Sequence, residues 1–420
     1  MRLALAACLL LVGCRFHALD GEVAQLRALG RISGEVHVEG AGGPITVALL
    51  QLPLRPWDPV RLLDTAVLER PGPFRFVVGR GRYRVVAFED ANRDDRVSDG
   101  ERSEATGILQ IGQRDFRDDV ELRIVGVTAV PVMNDRVVDD RRYVVGALGR
   151  LDETRFSPRT GEESAWRPLD MIARHRPGLY HLERYDPTRI PVIFVHGLGG
   201  YGRQFESLIE GLDRERFQPW LFIYPSGLRV QRSAELLHAV IRQTRVDLGT
   251  EHLCVVAHSV GGVVTRRAMT LHQAEYDEPL IRGLTTVATP FGGLGSAAVG
   301  VRMAPEVVPA WYDLVPNEGF IRALFDEPLP SRMPNTLLFS YREGAASDGV
   351  VPIHSQLREA AQAEATTVRG VEASHTEVLD APVTRRFVRS SLARCAENRP
   401  PGRPVVPVVD HESARLSSAR

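Results

Sequence analysis

The sequence predicts an α/β chain, a doubly wound and mostly parallel sheet preceded by a small all-β sandwich. Three observations carry this. Short continuous apolar runs alternate with helix-period patterns from about residue 189, as buried parallel strands and their crossover helices do. Before residue 125 the apolar residues instead recur with a period of two between Gly- and Pro-containing turns. One apolar run, Leu253 to Ala257, passes through a serine flanked by small residues straight into a helical pattern. Composition bounds the rest: 420 residues, 44% hydrophobic and 25% charged, suit a globular chain of two or three domains. The 52 cationic side chains are all arginine and face 53 acidic ones, a net charge of −1 that argues against a nucleic-acid partner. Having no lysine, the chain lacks a Schiff-base residue, a lysine-bearing phosphate loop and a Ser–Lys dyad.

The first residues read as an address. Arg2 precedes an apolar run, Leu3 to Gly13, which is shorter than the ~20 residues a membrane span needs and suits a signal-peptide core. Leu11-Val12-Gly13-Cys14 resembles the bacterial lipobox. That resemblance implies removal of residues 1–13, a diacylglyceryl group on Cys14, and a membrane partner through the lipid anchor on the bacterial cell envelope. Arg15 rather than Asp after the cysteine points to the outer membrane. An ordinary secretory signal with an incidental Cys14 is the alternative. Of the other cysteines, Cys8 leaves with the signal. A disulfide between Cys254 and Cys395 is open to a chain in an oxidising compartment, but nothing in their spacing argues for it, and no disulfide framework is expected.

Residues 26–125 form the predicted sandwich. Ile32, Gly34, Val36 and Val38 alternate with polar residues, Phe74, Phe76 and Val78 repeat the pattern, and Val120, Leu122 and Ile124 close it. The run Gly72 to Asp90 resembles prealbumin-like and carboxypeptidase-regulatory-like sandwiches, which implies a spacing, anchoring or binding role. In the predicted sandwich, Asp90, Asn92, Asp94, Ser98 and Glu101 fall at positions 1, 3, 5, 9 and 12 of an EF-hand-like loop. Asp95 stands where that loop needs glycine, so a structural Ca2+ and a self-solvating charged hairpin are both open. Residues 126–188 read as a linker packed on the catalytic domain, and 397–420 as a disordered tail.

The remaining stretch, 189–396, carries the chemistry. Pro191–Val195, Trp220–Tyr224, Leu253–Ala257, Leu284–Ala288, Thr336–Tyr341 and Thr366–Val371 are the predicted strands. Helices are expected after Ser233, over Gly262–Leu271 and after Asp380. Ala257-His258-Ser259-Val260-Gly261 has the form of a nucleophile elbow, a tight strand–turn–helix that needs small residues beside its serine. A serine hydroxyl needs a base, and the base an orienting acid. In the chain order Ser–acid–His, Asp348 follows the penultimate predicted strand and His375 the last, with Glu343 as the alternative acid. Two backbone N–H groups must then face the developing oxyanion. Val260 supplies one, and Leu198, in the glycine-rich His196–Gly200 segment after the first buried strand, supplies the other. His196 reads as structural.

With the elbow Ala-His-Ser-Val-Gly-Gly, the His-Gly-Leu loop and Thr289-Pro290-Phe291-Gly292-Gly293, residues 189–396 resemble the α/β-hydrolase lipases and esterases. The likeness is to the bacterial lipases with an AHSxGG elbow and to inositol-deacylase-like hydrolases. The resemblance implies a serine carboxylic-ester hydrolase working through an acyl-enzyme, with no cofactor required. Acyl transfer or thioester cleavage uses the same residues, and a non-catalytic envelope scaffold is the reading from a different class. Residues 294–334 are apolar and read as a cap insertion, either a moving lid or a fixed layer, which favours an apolar acyl ester or lipid substrate.

Overall fold

The structure, a computed structural model, describes residues 2–40, 43–55, 57–90, 97, 100–126, 137–276, 278–331 and 333–398, with side chains from Arg15 onward. Helix α1 (Arg2–Arg27) opens the chain and runs without a break through the predicted cleavage position. Among the described residues no helix is long and apolar enough to cross a membrane.

The β region follows, in strands β1 (Gly30–Val38), β2 (Ile45–Gln51), β3 (Val60–Leu68), β4 (Gly72–Val78), β5 (Gly81–Glu89), β6 (Ser103–Ala105), β7 (Leu109–Ile111), β8 (Phe116–Ile124) and β9 (Val137–Asp139). They make one sheet of order β4-β1-β8 and another of order β6-β5-β2-β3-β9, with β7 pairing β5. The period-two pattern works as its physics requires. Phe74, Phe76 and Val78 turn inward onto Ile32, Val47 and Leu122, while Arg75 and Val77 stay exposed.

The second region is an eight-stranded sheet. In chain order its elements are β10 (Val144–Leu148), α2 (Pro158–Trp166), α3 (Pro168–His175), β11 (Gly178–His181), β12 (Ile190–Val195), α4 (Glu206–Glu210), β13 (Phe217–Ile223), α5 (Val230–Leu248), β14 (Leu253–His258), α6 (Val260–Glu275) and β15 (Ile281–Val287). Then come α7 (Gly295–Met303), α8 (Pro309–Asp313), α9 (Gly319–Ala323), β16 (Asn335–Tyr341), α10 (Ile353–Gln356), α11 (Glu359–Glu364), β17 (Thr367–Glu372) and α12 (Pro382–Glu397). The strand order is β10-β11-β13-β12-β14-β15-β16-β17, parallel except where β11 meets β13. Alternate residues of β14 point to opposite faces. Val255 joins α1, α5 and α6 on one side, and Val256 joins α12 on the other.

Several expectations are corrected. Residues 126–188 are more than a linker, because β10 and β11 extend the sheet and β9 pairs with β3 of the sandwich. Their brevity hid them: β11 is four residues long. Helix α5 begins after Arg229, leaving Ser233 buried inside it, and α12 begins at Pro382 after Ala381. Cys254 and Cys395 are joined by a disulfide across a sequence separation of 141. The calcium expectation falls largely outside the described residues, since Asn92, Asp94 and Ser98 do. Of its other members, Asp90 is buried and accepts from Thr46 Oγ1 at 3.1 Å, and Glu101 precedes β6. Among the described residues one group of donors stands close enough to share an ion, His252, Cys254 and Cys395. Its sulfurs are in the disulfide, so no thiolate is available there. Residues 295–323 fold as α7, α8 and α9, whose Ala297, Ala310 and Ile321 are buried in the main core. The tail expected from 397 lies outside the described residues beyond Asn398.

Candidate active site

Strand β14 delivers Ser259 to the carboxyl edge of the sheet. Ser259 adopts φ 54° and ψ −132°, a left-handed conformation costly for a side chain with Cβ, and α6 starts at the next residue. The turn is held on both sides: Ser259 N–H donates to Val287 O at 2.8 Å, and Gly262 N–H to Ser259 O at 3.0 Å. Two glycines make the approach feasible. A Cβ on Gly261 would collide with the Val195 and His196 carbonyls, and one on Gly197 would lie 2.7 Å from Ser259 Cβ.

Around this serine the three residues expected to act together do meet. Ser259 Oγ lies 2.9 Å from His375 Nε2, and His375 Nδ1 lies 2.7 Å from Asp348 Oδ2. His375 therefore donates through Nδ1 to the carboxylate and presents Nε2 as acceptor to the serine hydroxyl. All are buried, Asp348 completely and Ser259 at 7% exposure. The Asp348 carboxylate is fully engaged. Oδ1 accepts the N–H groups of Val350 (2.9 Å) and Val351 (2.7 Å), and Oδ2 also accepts Ser340 Oγ (2.7 Å). Burial by itself would raise this carboxyl. The hydrogen bonds from His375, Ser340 and Val351, with the His375 charge, outweigh burial and hold the pKa down at about 2. Gln356 braces the same loop, accepting from Ser340 N–H (2.8 Å) and donating to Ser340 O (2.9 Å) and Val351 O (3.0 Å). The alternative acid, Glu343, is exposed on the loop after β16.

The loop after β12 is equally fixed. Gly199 N–H donates to Ser226 Oγ (2.9 Å), which meets Ser164 Oγ of α2 at 2.7 Å. Tyr224 O–H donates to His196 O at 2.7 Å. The His196 ring stacks on Tyr224 with centroids 4.4 Å apart and donates through Nδ1 to Gly197 O at 2.9 Å. Burial pushes its pKa down to about 4, only partly offset by that bond, so His196 is a neutral structural residue. Among the described residues the Leu198 N–H makes no hydrogen bond. Val260 N–H, first in α6, is one of the amides that a helix leaves unpaired at its start.

Sequence reasoning passed over two participants. His258, the variable position of the elbow, donates through Nε2 to the His375 carbonyl (2.8 Å) and accepts from Gln204 Nε2 (3.2 Å) through Nδ1. Gln204 in turn accepts Tyr201 N–H at 3.0 Å. Burial first, and the neighbouring His375 second, push the His258 pKa down to about 3, so it is neutral. The signal for such a role is weak in one dimension, because its partner lies 117 residues away.

The alpha/beta hydrolase fold family matches residues 190–342. No curated protein matches. Among solved structures, the chain is similar to the mature lipase BlEst2 of Bacillus licheniformis at 19% identity, covering 50% of this chain and 94% of that one with a TM-score of 0.40. It is similar to the monoacylglycerol lipase of Paleococcus ferrophilus at 17% identity, covering 53% and 99% with a TM-score of 0.39. Similarity to phospholipase PlaB of Legionella pneumophila is 18% in identity over 40% and 44%, with a TM-score of 0.34. A parallel sheet flanked by helices, an elbow at the end of β14 and the family match over residues 190–342 identify the second region of this chain as an α/β-hydrolase fold.

Proposed function

We propose that this chain is a serine carboxylic-ester hydrolase of the lipase and esterase kind, acting on apolar acyl esters from a lipid-anchored position on the bacterial cell envelope. One observation carries the catalytic reading: the unbroken hydrogen-bonded chain from Ser259 through His375 to Asp348, at a serine held with φ 54°. In the first half-reaction Ser259 Oγ attacks the ester carbonyl and His375 Nε2 takes the hydroxyl proton. The carbonyl oxygen, now negative, is met by the Leu198 and Val260 N–H groups. The C–O bond to the alcohol breaks, and the alcohol leaves with the proton from His375. Water then attacks the acyl-enzyme, His375 takes its proton, and the acid departs as Ser259 is restored. Asp348, kept ionised, stabilises the imidazolium at each stage.

The location rests on the Leu11-Val12-Gly13-Cys14 segment. The Cys254–Cys395 disulfide supports it, since such bonds persist in oxidising compartments outside the cytoplasm. The apolar layer α7–α9 supports an acyl substrate. A panel of p-nitrophenyl esters of increasing acyl length tests the reading. Hydrolysis that rises toward longer chains is expected, a preference for short polar acyl groups overturns the lipase version, and no hydrolysis of any ester overturns the function.

A further inference from the structure

A chain anchored through Cys14 would ordinarily swing on a flexible leash, and here there is none. Contacts begin at the next residue. The Arg15 guanidinium pairs with Glu162 and sits 6.0 Å from the Trp166 ring, and the Phe16 ring meets Trp166 edge-on at 5.4 Å. Leu19 is fully buried, Val23 nearly so, and Glu22 accepts the N–H groups of Leu169 (2.6 Å) and Asp170 (3.2 Å) at the start of α3. From its first turn after Cys14, helix α1 is thus part of the body.

The aromatic contact continues into the cap. Trp166 meets Trp311 of α8 edge-on at 6.1 Å, and Trp311 packs so closely on Gly300 of α7 that a Cβ there would fall 2.5 Å from the indole. Beside this seam, apolar side chains face solvent: Met303 is 77% exposed, Val299 51% and Tyr312 45%. Three carboxylates near it are paired, Glu162 with Arg15, Glu306 with Arg27 and the buried Asp313 with Arg229, while Arg302 is exposed. An apolar patch with the exposed Arg302 at its edge matches the interface of a bilayer carrying anionic headgroups. The same elements reach the active site. Ser164 of α2 backs the Leu198 loop through Ser226, and Ala310 N–H of α8 bonds Gly227 O at 3.0 Å, whose own N–H bonds Ser164 O at 2.8 Å.

We propose that the face formed by Arg15 and Phe16 of α1, Trp166, Trp311 and the outer residues of α7 and α8 lies on the lipid surface, so that Ser259 draws its ester from the bilayer to which the chain is anchored. The proposal rests on acylation of Cys14. It goes further by stating which side of the body the anchor presses onto the membrane, a consequence of the missing leash.

The test uses the full acylated chain in vesicles of phosphatidylethanolamine and phosphatidylglycerol. A bimane label is placed at Met303→Cys, at Val299→Cys or, on α12 across the sheet, at Arg386→Cys. Brominated lipid is expected to quench labels 303 and 299 by more than half and label 386 by less than a tenth. Equal quenching at all three, or stronger quenching at 386, overturns the orientation. Mass spectrometry of the mature chain separates the two claims, because a chain without the diacylglyceryl mass overturns the anchor reading and the orientation with it. An acylated chain quenched only at 386 overturns the orientation alone.

Discussion

His258 and His375 lie at the carboxyl edge of the sheet with ring centroids 4.7 Å apart, and His238 and His272 meet between α5 and α6 with centroids 5.6 Å apart. Both pairs are buried. In the first, each ring nitrogen has a partner: Asp348 and Ser259 for His375, Gln204 and the His375 carbonyl for His258. In the second, His272 reaches Glu278 O at 3.1 Å, but His272 Nδ1 and His238 Nε2 have no hydrogen-bond partner among the described residues. The Glu275 carboxylate stands 3.8 Å from His238 Nε2, beyond reach. Burial, first among the causes, pushes the pKa of His238 down to about 3 and of His272 to about 4. Burial alone therefore makes a neutral histidine. A base needs, in addition, a carboxylate behind it and a hydroxyl in front, which the first pair has and the second lacks.

This contrast can be broken from either side. The largest effect is expected for Asp348→Asn, which keeps the shape but leaves His375 in the wrong tautomer, and kcat should fall roughly ten-thousand-fold with the fold retained by circular dichroism. Next is His258→Leu. Losing the bond to the His375 carbonyl shifts the base, with roughly a hundred-fold drop in kcat expected, and His258→Gln, which can still donate there, should recover part of it. Acid should act on His258, His238 and His272 through stability. Unfolded histidines titrate near 6.5 and these fold with values of about 3 to 4, so below pH 6.5 the unfolded chain binds more protons and the folded state loses ground. The loss, about 2 kcal/mol per such histidine between pH 7 and pH 5, is measurable as a falling urea midpoint. The smallest effect belongs to His238→Leu: activity unchanged, neutral-pH stability within about 1 kcal/mol of wild type, and a shallower loss toward acid. A hundred-fold loss of activity in that variant would erase the contrast.

Much of this site is legible one residue at a time. Ser259 announces itself because a strand buried on both faces must be continuously apolar, and the turn after it must use small residues. Asp348 and His375 follow from chain order in a parallel sheet. What the sequence hides are partnerships that depend on closure in three dimensions. Cys254 and Cys395 are separated by 141 residues and come together only when α12 docks beside β14. Strands β10 and β11 are too short to show a period, the first five residues long and half-buried, the second four residues long and buried throughout. His258 looks like a free choice inside the elbow until His375 arrives above it. Helix α1 reads as a hydrophobic leader, and only packing reveals that its later turns belong to the core.

The proposed function requires Ser259 to be a nucleophile made reactive by the chain of hydrogen bonds behind it. Labelling with a fluorophosphonate probe tests it without knowledge of the substrate. Stoichiometric labelling of the folded wild-type chain on the peptide containing Ser259 is expected, and none above background in Ser259→Ala. Equal labelling of the two proteins would contradict it.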